Sequence, residues 1–360
     1  MGAEAAEAAA AEVVVAAAEG LKQAPLSHLT VQWHITDRCN LRCKHCYQEE
    51  YQQAGFRLPL LRSIAAQVFD WHKLESRKAG HEIPLFINLT GGEPLIHPDF
   101  FSLLAFLKSQ PVKARLGLFS NGSLIGRSQA EQLAALDISF VQLSVEGGPG
   151  THEAIRGPGS FTDTISASRI LKERGIRVIW SFTAHSGNYT EFPLVSETAR
   201  KCRINRLWSD RLIPFPRDGG PRPLDFEQTR EYLFILGRTQ KETQKKWNSK
   251  TEIYLGRALQ FQANGGTPYH CRAGRELIAI MPNGDLHPCR RLPLKAGNLL
   301  DQPLTELYET DLLRRLRAFA CPDECIGCLY KHDCRGGLRC LAQALSGDMF
   351  RPDPGCGAMA

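Results

Sequence analysis

Between residues 28 and 213, short runs rich in β-branched and aromatic residues alternate with longer stretches of helical period. Residues 29–35, 85–89, 115–119, 140–145, 177–182 and 206–213 read as strands. Segments 59–78, 98–109, 127–136, 160–174 and 190–201 have helical length and spacing. Gly126-Arg127-Ser128 opens the third of them and Gly175 closes the fourth. Strand and helix alternating in this way predict an α/β domain with a parallel sheet and right-handed crossovers. Six strand units are too few to close an eight-fold barrel. The expected form is therefore an open, partial (β/α)6 barrel of TIM type, with its ligand at the carboxyl ends of the strands.

The pattern changes after residue 213. Residues 214–223 are a loop by their Pro and Gly content, 224–264 read as helical with a polar run at 240–250, and 265–360 hold short elements dominated by Cys, Gly and Pro. A core that thin needs bound metal to fold. The chain thus divides into an Ala/Glu-rich tail (1–26), a barrel (27–213), a helical bridge (214–264) and a small Cys-rich domain (265–360).

Hydrophobic residues at 43% and charged residues at 23% exclude a wholly disordered or fibrous chain. No stretch reaches the roughly 18 apolar residues of a membrane span. The Ala-rich start is broken by Glu4, Glu7, Glu12 and Glu19 and has no basic region, so it does not read as an export signal. The expected compartment is the reducing cytoplasm. There are 12 cysteines, too few for a disulfide scaffold, and they are clustered: three lie within eight residues and eight lie between Cys271 and Cys356. Such clusters read as metal ligands. Cys202 stands apart and reads as a small apolar core residue.

The first cluster, Cys39-x3-Cys43-x2-Cys46, follows the first strand directly. Three thiolates on one short loop suit three irons of a cubane and leave the fourth iron open to a ligand. A zinc loop completed by His45 is the alternative. After the second strand comes Thr90-Gly91-Gly92-Glu93-Pro94. Its glycines let backbone approach a ligand closely, and Glu93 suits an ammonium group; a plain turn is the alternative.

Taken together, these residues resemble the radical S-adenosylmethionine (SAM) superfamily. Ser120-Asn121-Gly122, Ser144-Val145-Glu146-Gly147, His152 and Arg156-Gly157 extend the resemblance along the barrel. It implies that Cys39, Cys43 and Cys46 carry a [4Fe–4S] cluster and that Gly91, Gly92, Glu93 and Ser144 contact SAM. Arg156 is either a contact to the SAM carboxylate or part of an ion pair, and Tyr47 is the aromatic beside the adenine. The implied chemistry is one-electron cleavage of SAM to methionine and a 5′-deoxyadenosyl radical, fed by a flavodoxin- or ferredoxin-type reductant.

The later cysteines resemble the SPASM extension of that superfamily, which binds two auxiliary [4Fe–4S] clusters. The resemblance assigns Cys271, Cys289 and Cys340 to one cluster and Cys325, Cys328, Cys334 and Cys356 to the other, making three clusters in all. Five residues rather than the usual three precede Cys340, which reads as a small insertion, and Cys321 is either a fourth ligand of the first auxiliary cluster or unused. A zinc module is the alternative for this region. The formal charge is +6. Ten thiolates and three cubes of charge +2 bring a loaded chain to roughly +2, which argues against a nucleic-acid partner.

The resemblance implies a maturase acting on a ribosomally synthesised peptide, by cross-linking, C–H functionalisation or backbone excision. An anaerobic sulfatase-maturing type that oxidises a Cys or Ser side chain is the second expectation. A non-catalytic iron–sulfur or zinc scaffold is the reading of another class. Only 38 residues precede Cys39. That is short of the roughly 80 of a winged-helix leader-binding module, so a separate leader-peptide-binding protein is the expected partner, and direct reading of the substrate at the barrel mouth is the alternative. The catalytic acid or base is unassigned. Asp210 and Arg211, at the end of the sixth strand, suit either substrate contact or an ion pair at the rim, while His34, His185, His270 and His332 read as structural.

Overall fold

The computed structural model describes residues 26–357 apart from 49, 216–218 and 248, so nearly all of the expected tail lies outside the described residues. Six strands lie side by side in chain order, all parallel: β1 (Leu29–His34), β2 (Leu85–Thr90), β3 (Arg115–Ser120), β4 (Phe140–Ser144), β5 (Val178–Ala184) and β6 (Arg206–Arg211). Their register runs through His34↔Thr90, Leu89↔Leu118, Ser120↔Leu143, Ser144↔Ser181 and Ala184↔Arg211, which brings the carboxyl ends of neighbouring strands to one rim. The strands are buried almost continuously, as expected of a parallel sheet covered by helices on one side and folded around its own contents on the other.

The crossover helices are α1 (Leu58–Ala79), α2 (Phe100–Lys108), α3 (Arg127–Ala135), α4 (Pro149–Arg156), α5 (Ser160–Glu173) and α6 (Phe192–Lys201); α7 (Phe226–Lys245) follows β6. Most begin and end within two residues of the sequence reading. The exception is α4, an extra helix between β4 and α5 that the sequence reading does not contain. Pro149 stands in its first turn, where a missing N–H costs nothing, and Gly148 precedes it in extended backbone.

The sheet also continues past both expected domain boundaries. β7 (Glu252–Tyr254), inside the helical bridge, adds to β6. β8 (Leu277–Ile280), from the Cys-rich part, adds in parallel to the other edge, on β1. β9 (Asp285–His287) and β10 (Gly297–Asn298) follow it antiparallel. The result is one ten-stranded open sheet in the order β10-β9-β8-β1-β2-β3-β4-β5-β6-β7. The fold is a partial (β/α)6 barrel with a Cys-rich C-terminal domain whose first strands join the barrel sheet. Contacts also tie the two parts on the outer face: Trp71 of α1 meets Tyr308 edge-on at 5.0 Å, and Gln67 bonds both Leu299 and Leu304 backbone at 3.0 Å.

His34 ends β1 at 1% exposure, with no hydrogen-bond partner for Nε2. Burial, with Arg290 and His287 nearby, pushes its pKa down to about 3. The unfolded chain takes up this proton below 6.5 and the folded chain does not, so stability present above 6.5 is lost as pH falls toward about 3. Each such proton contributes a slope of about 1.4 kcal/mol per pH unit. His34→Phe is expected to flatten the acid limb of anaerobic urea-unfolding curves by about that slope; an unchanged limb would rule out a neutral buried His34.

Candidate functional site

A cavity of about 340 Å³ opens at the carboxyl rim. Cys39, Cys43 and Cys46 lie on its wall together with Tyr47, Gly91, Gly92, Ser144 and Arg156, and so does Cys289 from the distant C-terminal part. The structure therefore gathers most of the sequence-derived site around one space.

The cysteine loop is held against β2 by backbone bonds. Gly92 N donates to Thr36 O at 2.8 Å and Glu93 N to Arg38 O at 2.9 Å. Gly91 has φ +141°, and a Cβ on it would overlap the Thr36 carbonyl; a Cβ on Gly92 would overlap the Arg38 carbonyl. The glycines thus serve a close backbone approach, as their motif suggests. On the other side, Lys44 N donates to Ile155 O at 3.0 Å, which ties the loop to the unforeseen helix α4.

Donors face the sulfurs. Leu41 N lies 3.4 Å from Cys39 Sγ, Gln48 N 3.4 Å from Cys46 Sγ, Asn121 Nδ2 3.9 Å from Cys39 Sγ and Arg156 Nη1 3.8 Å from Cys43 Sγ. Burial pushes the Cys39 thiol up to about 11, and its neighbours Glu93, Cys43 and Cys46 add to the rise. Three mutually repelling thiols surrounded by N–H donors fit a cationic iron cluster, which would take them as thiolates.

Glu93 is buried beside the glycines. Its carboxylate does not line the cavity: it is fully buried and accepts Ser120 Oγ at 3.0 Å, Asn121 N at 2.8 Å and Leu95 N at 3.2 Å. Burial outweighs these bonds and pushes its pKa up to about 7. The side chain fastens the turn after β2 to the end of β3. Glu93→Ala leaves buried donors unanswered and is expected to cost about 1–3 kcal/mol of stability. Urea unfolding reads this directly, and full stability with weakened SAM binding would restore the contact role.

Arg156 is in an ion pair, and it also lines the cavity. Its guanidinium meets Glu146 at 2.6 Å, and His45 Nε2 meets the same oxygen at 3.2 Å. Burial alone would raise the Glu146 pKa; His45 and Arg156 reverse that and hold it well below the usual carboxylate range. Glu146 also accepts Thr183 N at 3.1 Å, and its own N–H donates to His152 Nδ1 at 3.2 Å. His45 and Glu146 thus position Arg156 beside Cys43. Tyr47 lines the cavity, packed against His34 and Phe215.

The later cysteines lie in two neighbourhoods. Burial pushes the Cys340 thiol up to about 12, against the pull of Arg291, and Cys271 and Cys289 add to it. Beside this group, Arg339 is 5% exposed, lies 4.4 Å over the Phe319 ring, and has no acceptor for Nε or Nη1. Orphaned cationic donors beside Cys271 and next in sequence to Cys340 are what a thiolate-bound cluster would satisfy. Cys325, Cys328, Cys334 and Cys356 line a second cavity of about 430 Å³. Burial raises Cys325 to about 11, with Cys356, Cys321 and Cys328 contributing, so Cys321 belongs to the surroundings of this second group. Among the described residues no three of His, Cys, Asp and Glu converge enough to hold a single metal ion. A four-iron cube takes one sulfur per corner and spreads its ligands wider.

Asp210 and Arg211 line the cavity and both are paired. Asp210 meets Arg257 at 2.9 Å and Arg291 at 2.7 Å, and Arg211 meets Asp353. Burial would raise the Asp210 pKa, and the two arginines hold it well below normal. His34, His185, His270 and His332 stay outside the cavity lining. Arg257, Arg290 and Arg291 were not in the sequence reading; only the Arg-Arg pair following Cys289 could have drawn attention to two of them.

Comparison with known proteins agrees with this geometry. Residues 33–191 match the radical SAM superfamily model, and residues 271–329 match the SPASM iron-sulfur cluster-binding domain. The chain belongs to the radical SAM superfamily. It is a SAM-dependent enzyme with bound iron–sulfur clusters. It is 26% identical to the AdoMet-dependent heme synthase of Methanosarcina barkeri, over 91% of this chain and 95% of that one. It is 25% identical to the mycofactocin maturase MftC of Mycobacterium tuberculosis, over 91% and 82%. Its backbone follows that of the solved structure described as anSMEcpe with bound AdoMet, at a TM-score of 0.75 and 20% identity, covering 92% of this chain and 91% of that one. Among the described residues no helix is long and apolar enough to cross a membrane.

Proposed function

We propose that this radical SAM enzyme modifies a ribosomally synthesised peptide, by cross-linking, C–H functionalisation or backbone excision. One observation carries the reading: a single cavity reaches from the Cys39–Cys43–Cys46 loop to Cys289, so a substrate has room between the two cysteine groups. The likeness to the mycofactocin maturase supports a peptide as that substrate. In this reading Cys39, Cys43 and Cys46 hold the SAM-binding cluster, Gly91, Gly92 and Ser144 border SAM, and Arg156 is steered by Glu146 and His45. Cys271, Cys289 and Cys340 hold a second cluster and Cys325, Cys328, Cys334 and Cys356 a third. With SAM, the first of these supplies a 5′-deoxyadenosyl radical. The chain's own part is to orient the substrate against that radical and to keep water out, which the buried strand ends around the rim do.

A precursor peptide, a separate leader-binding protein and a flavodoxin- or ferredoxin-type reductant complete the proposed system. A second reading, a tetrapyrrole substrate, is favoured by the likeness to the heme synthase and by the arginines of the cavity wall. The sulfatase-type oxidation has shared fold alone behind it. The deciding experiment incubates reconstituted enzyme, SAM and dithionite with candidate precursor peptides or with iron-coproporphyrin III. Mass spectrometry follows each substrate while 5′-deoxyadenosine is counted. Peptide-dependent product is the expected result. Turnover of the tetrapyrrole with none of the peptides changed would overturn it.

A further inference from the structure

Five arginines line the cavity: Arg156, Arg211, Arg257, Arg290 and Arg291. Four are answered by buried carboxylates, namely Glu146, Asp353 and, for both Arg257 and Arg291, Asp210. Arg290 is different. Its guanidinium lies 5.6 Å from the Tyr47 ring centre and 5.2 Å from that of Phe119. Among the described residues no carboxylate stands within ion-pair distance of it. Arg290 is next in sequence to Cys289, and Tyr47 is next to Cys46, so the cation stands where the two cysteine groups meet the same cavity.

Two aromatic rings steady a guanidinium and leave N–H groups on its edge. That edge is a planar fork matched to the two oxygens of a carboxylate, and it stands half-buried in the wall of the cavity. We propose that Arg290 binds a free carboxylate of the substrate and thereby fixes the substrate between the SAM-side cysteines and Cys289. The substrate class is a carboxylate-bearing one, whether the group is a peptide terminus or acidic side chain, or a tetrapyrrole propionate. The inference rests on the reading that this cavity holds the substrate, and it does not depend on which of the two substrate classes is turned over.

The test measures binding by the reconstituted, SAM-loaded enzyme under anaerobic conditions. One arm titrates iron-coproporphyrin III against its tetramethyl ester by the Soret band. The other titrates acetylated peptides with free C-terminal carboxylates against their amides by calorimetry. In one arm, wild type is expected to prefer the free acid by roughly tenfold, a charge-assisted bond's worth. The arm that responds identifies the source of the carboxylate. Arg290→Leu is expected to abolish the preference and Arg290→Lys to keep part of it, with iron content and SAM affinity as in wild type. Equal affinity for acid and blocked forms in both arms, absence of binding included, overturns the proposal. So does a fall in SAM affinity that accompanies the loss, since the arginine would then serve SAM. Turnover of a peptide without acid preference, followed by mass spectrometry, would sink this inference while leaving the proposed function standing.

Discussion

Cys43→Ala is expected to stop 5′-deoxyadenosine formation under dithionite, by at least about a thousandfold, because an iron–sulfur cluster held by three thiolates on one loop has no spare ligand. Cys43 is the thiol that burial raises and that Arg156, 3.8 Å away, pulls back. Removing it takes away one of three sulfurs and leaves the Arg156 guanidinium facing a gap. The same variant leaves Glu146 and its partners intact, so the rim should keep its shape and the protein its solubility. Iron analysis gives the second readout. Three clusters correspond to roughly 12 irons per chain, and the Cys39/Cys43/Cys46 triple alanine variant is expected to keep roughly 8. Cleavage of SAM at the wild-type rate by Cys43→Ala would remove the loop from the chemistry. A triple variant with almost no iron would instead show that the later cysteines hold none, and zinc would be the next measurement.

The parts of the fold that were legible are those set by local composition. The clearest barrel strand is Val178–Ala184, VIWSFTA, which is buried nearly throughout and accordingly rich in apolar residues. The strands that escaped are two to four residues long, β7 to β10, and exist through pairing: β7 with β6, β8 with β1, β9 with β8 and β10 with β9. No local pattern encodes such a partner. Helix α4 escaped because Gly147-Gly148-Pro149-Gly150 reads as a turn, although Pro in a first turn is also a helix start. Within the site, the grouping of the later cysteines comes from the family resemblance; in the structure Cys340 has Cys271 and Cys289 as neighbours, and Cys325, Cys328, Cys334 and Cys356 line one cavity. Side-chain direction is another matter. The glycines of Gly91-Gly92-Glu93 do what their motif suggests, and Glu93 braces Ser120 and Asn121, because a burial choice of that kind depends on residues 27 positions away. Asp210 and its partner Arg291 are separated by 81 positions, so their pairing appears only in three dimensions.

The second large effect is expected at the buried pair that fastens the C-terminal loop to the barrel. Arg211, the last residue of β6, meets Asp353 through two parallel bonds, Nη1 to Oδ1 at 2.8 Å and Nη2 to Oδ2 at 2.5 Å, with side-chain exposures of 3% and 0%. Asp353 does more than pair. Its carboxylate accepts Leu338 N at 3.1 Å and Gly355 N at 3.0 Å, its own N–H donates to Gly336 O at 2.8 Å, and its carbonyl accepts Cys356 N at 2.9 Å. One residue therefore gathers the backbone around Cys334, Cys340 and Cys356, and its side chain anchors it to the strand end. Asp353→Ala leaves a guanidinium buried without a counter-charge and two N–H groups without acceptors, so a loss of about 3–5 kcal/mol is expected. Arg211→Met should cost less, because Asp353 keeps its backbone donors. The double variant should cost less than the two singles together, since the unpaired charge that penalises Asp353→Ala is then absent. Urea unfolding of the four proteins closes that cycle. Iron content reads the consequence for chemistry: Asp353→Ala is expected to lose iron from the C-terminal cysteines and still cleave SAM, because the Cys39–Cys43–Cys46 loop is held by β2 and α4. Wild-type stability and full iron in Asp353→Ala would show that the pair holds nothing in place.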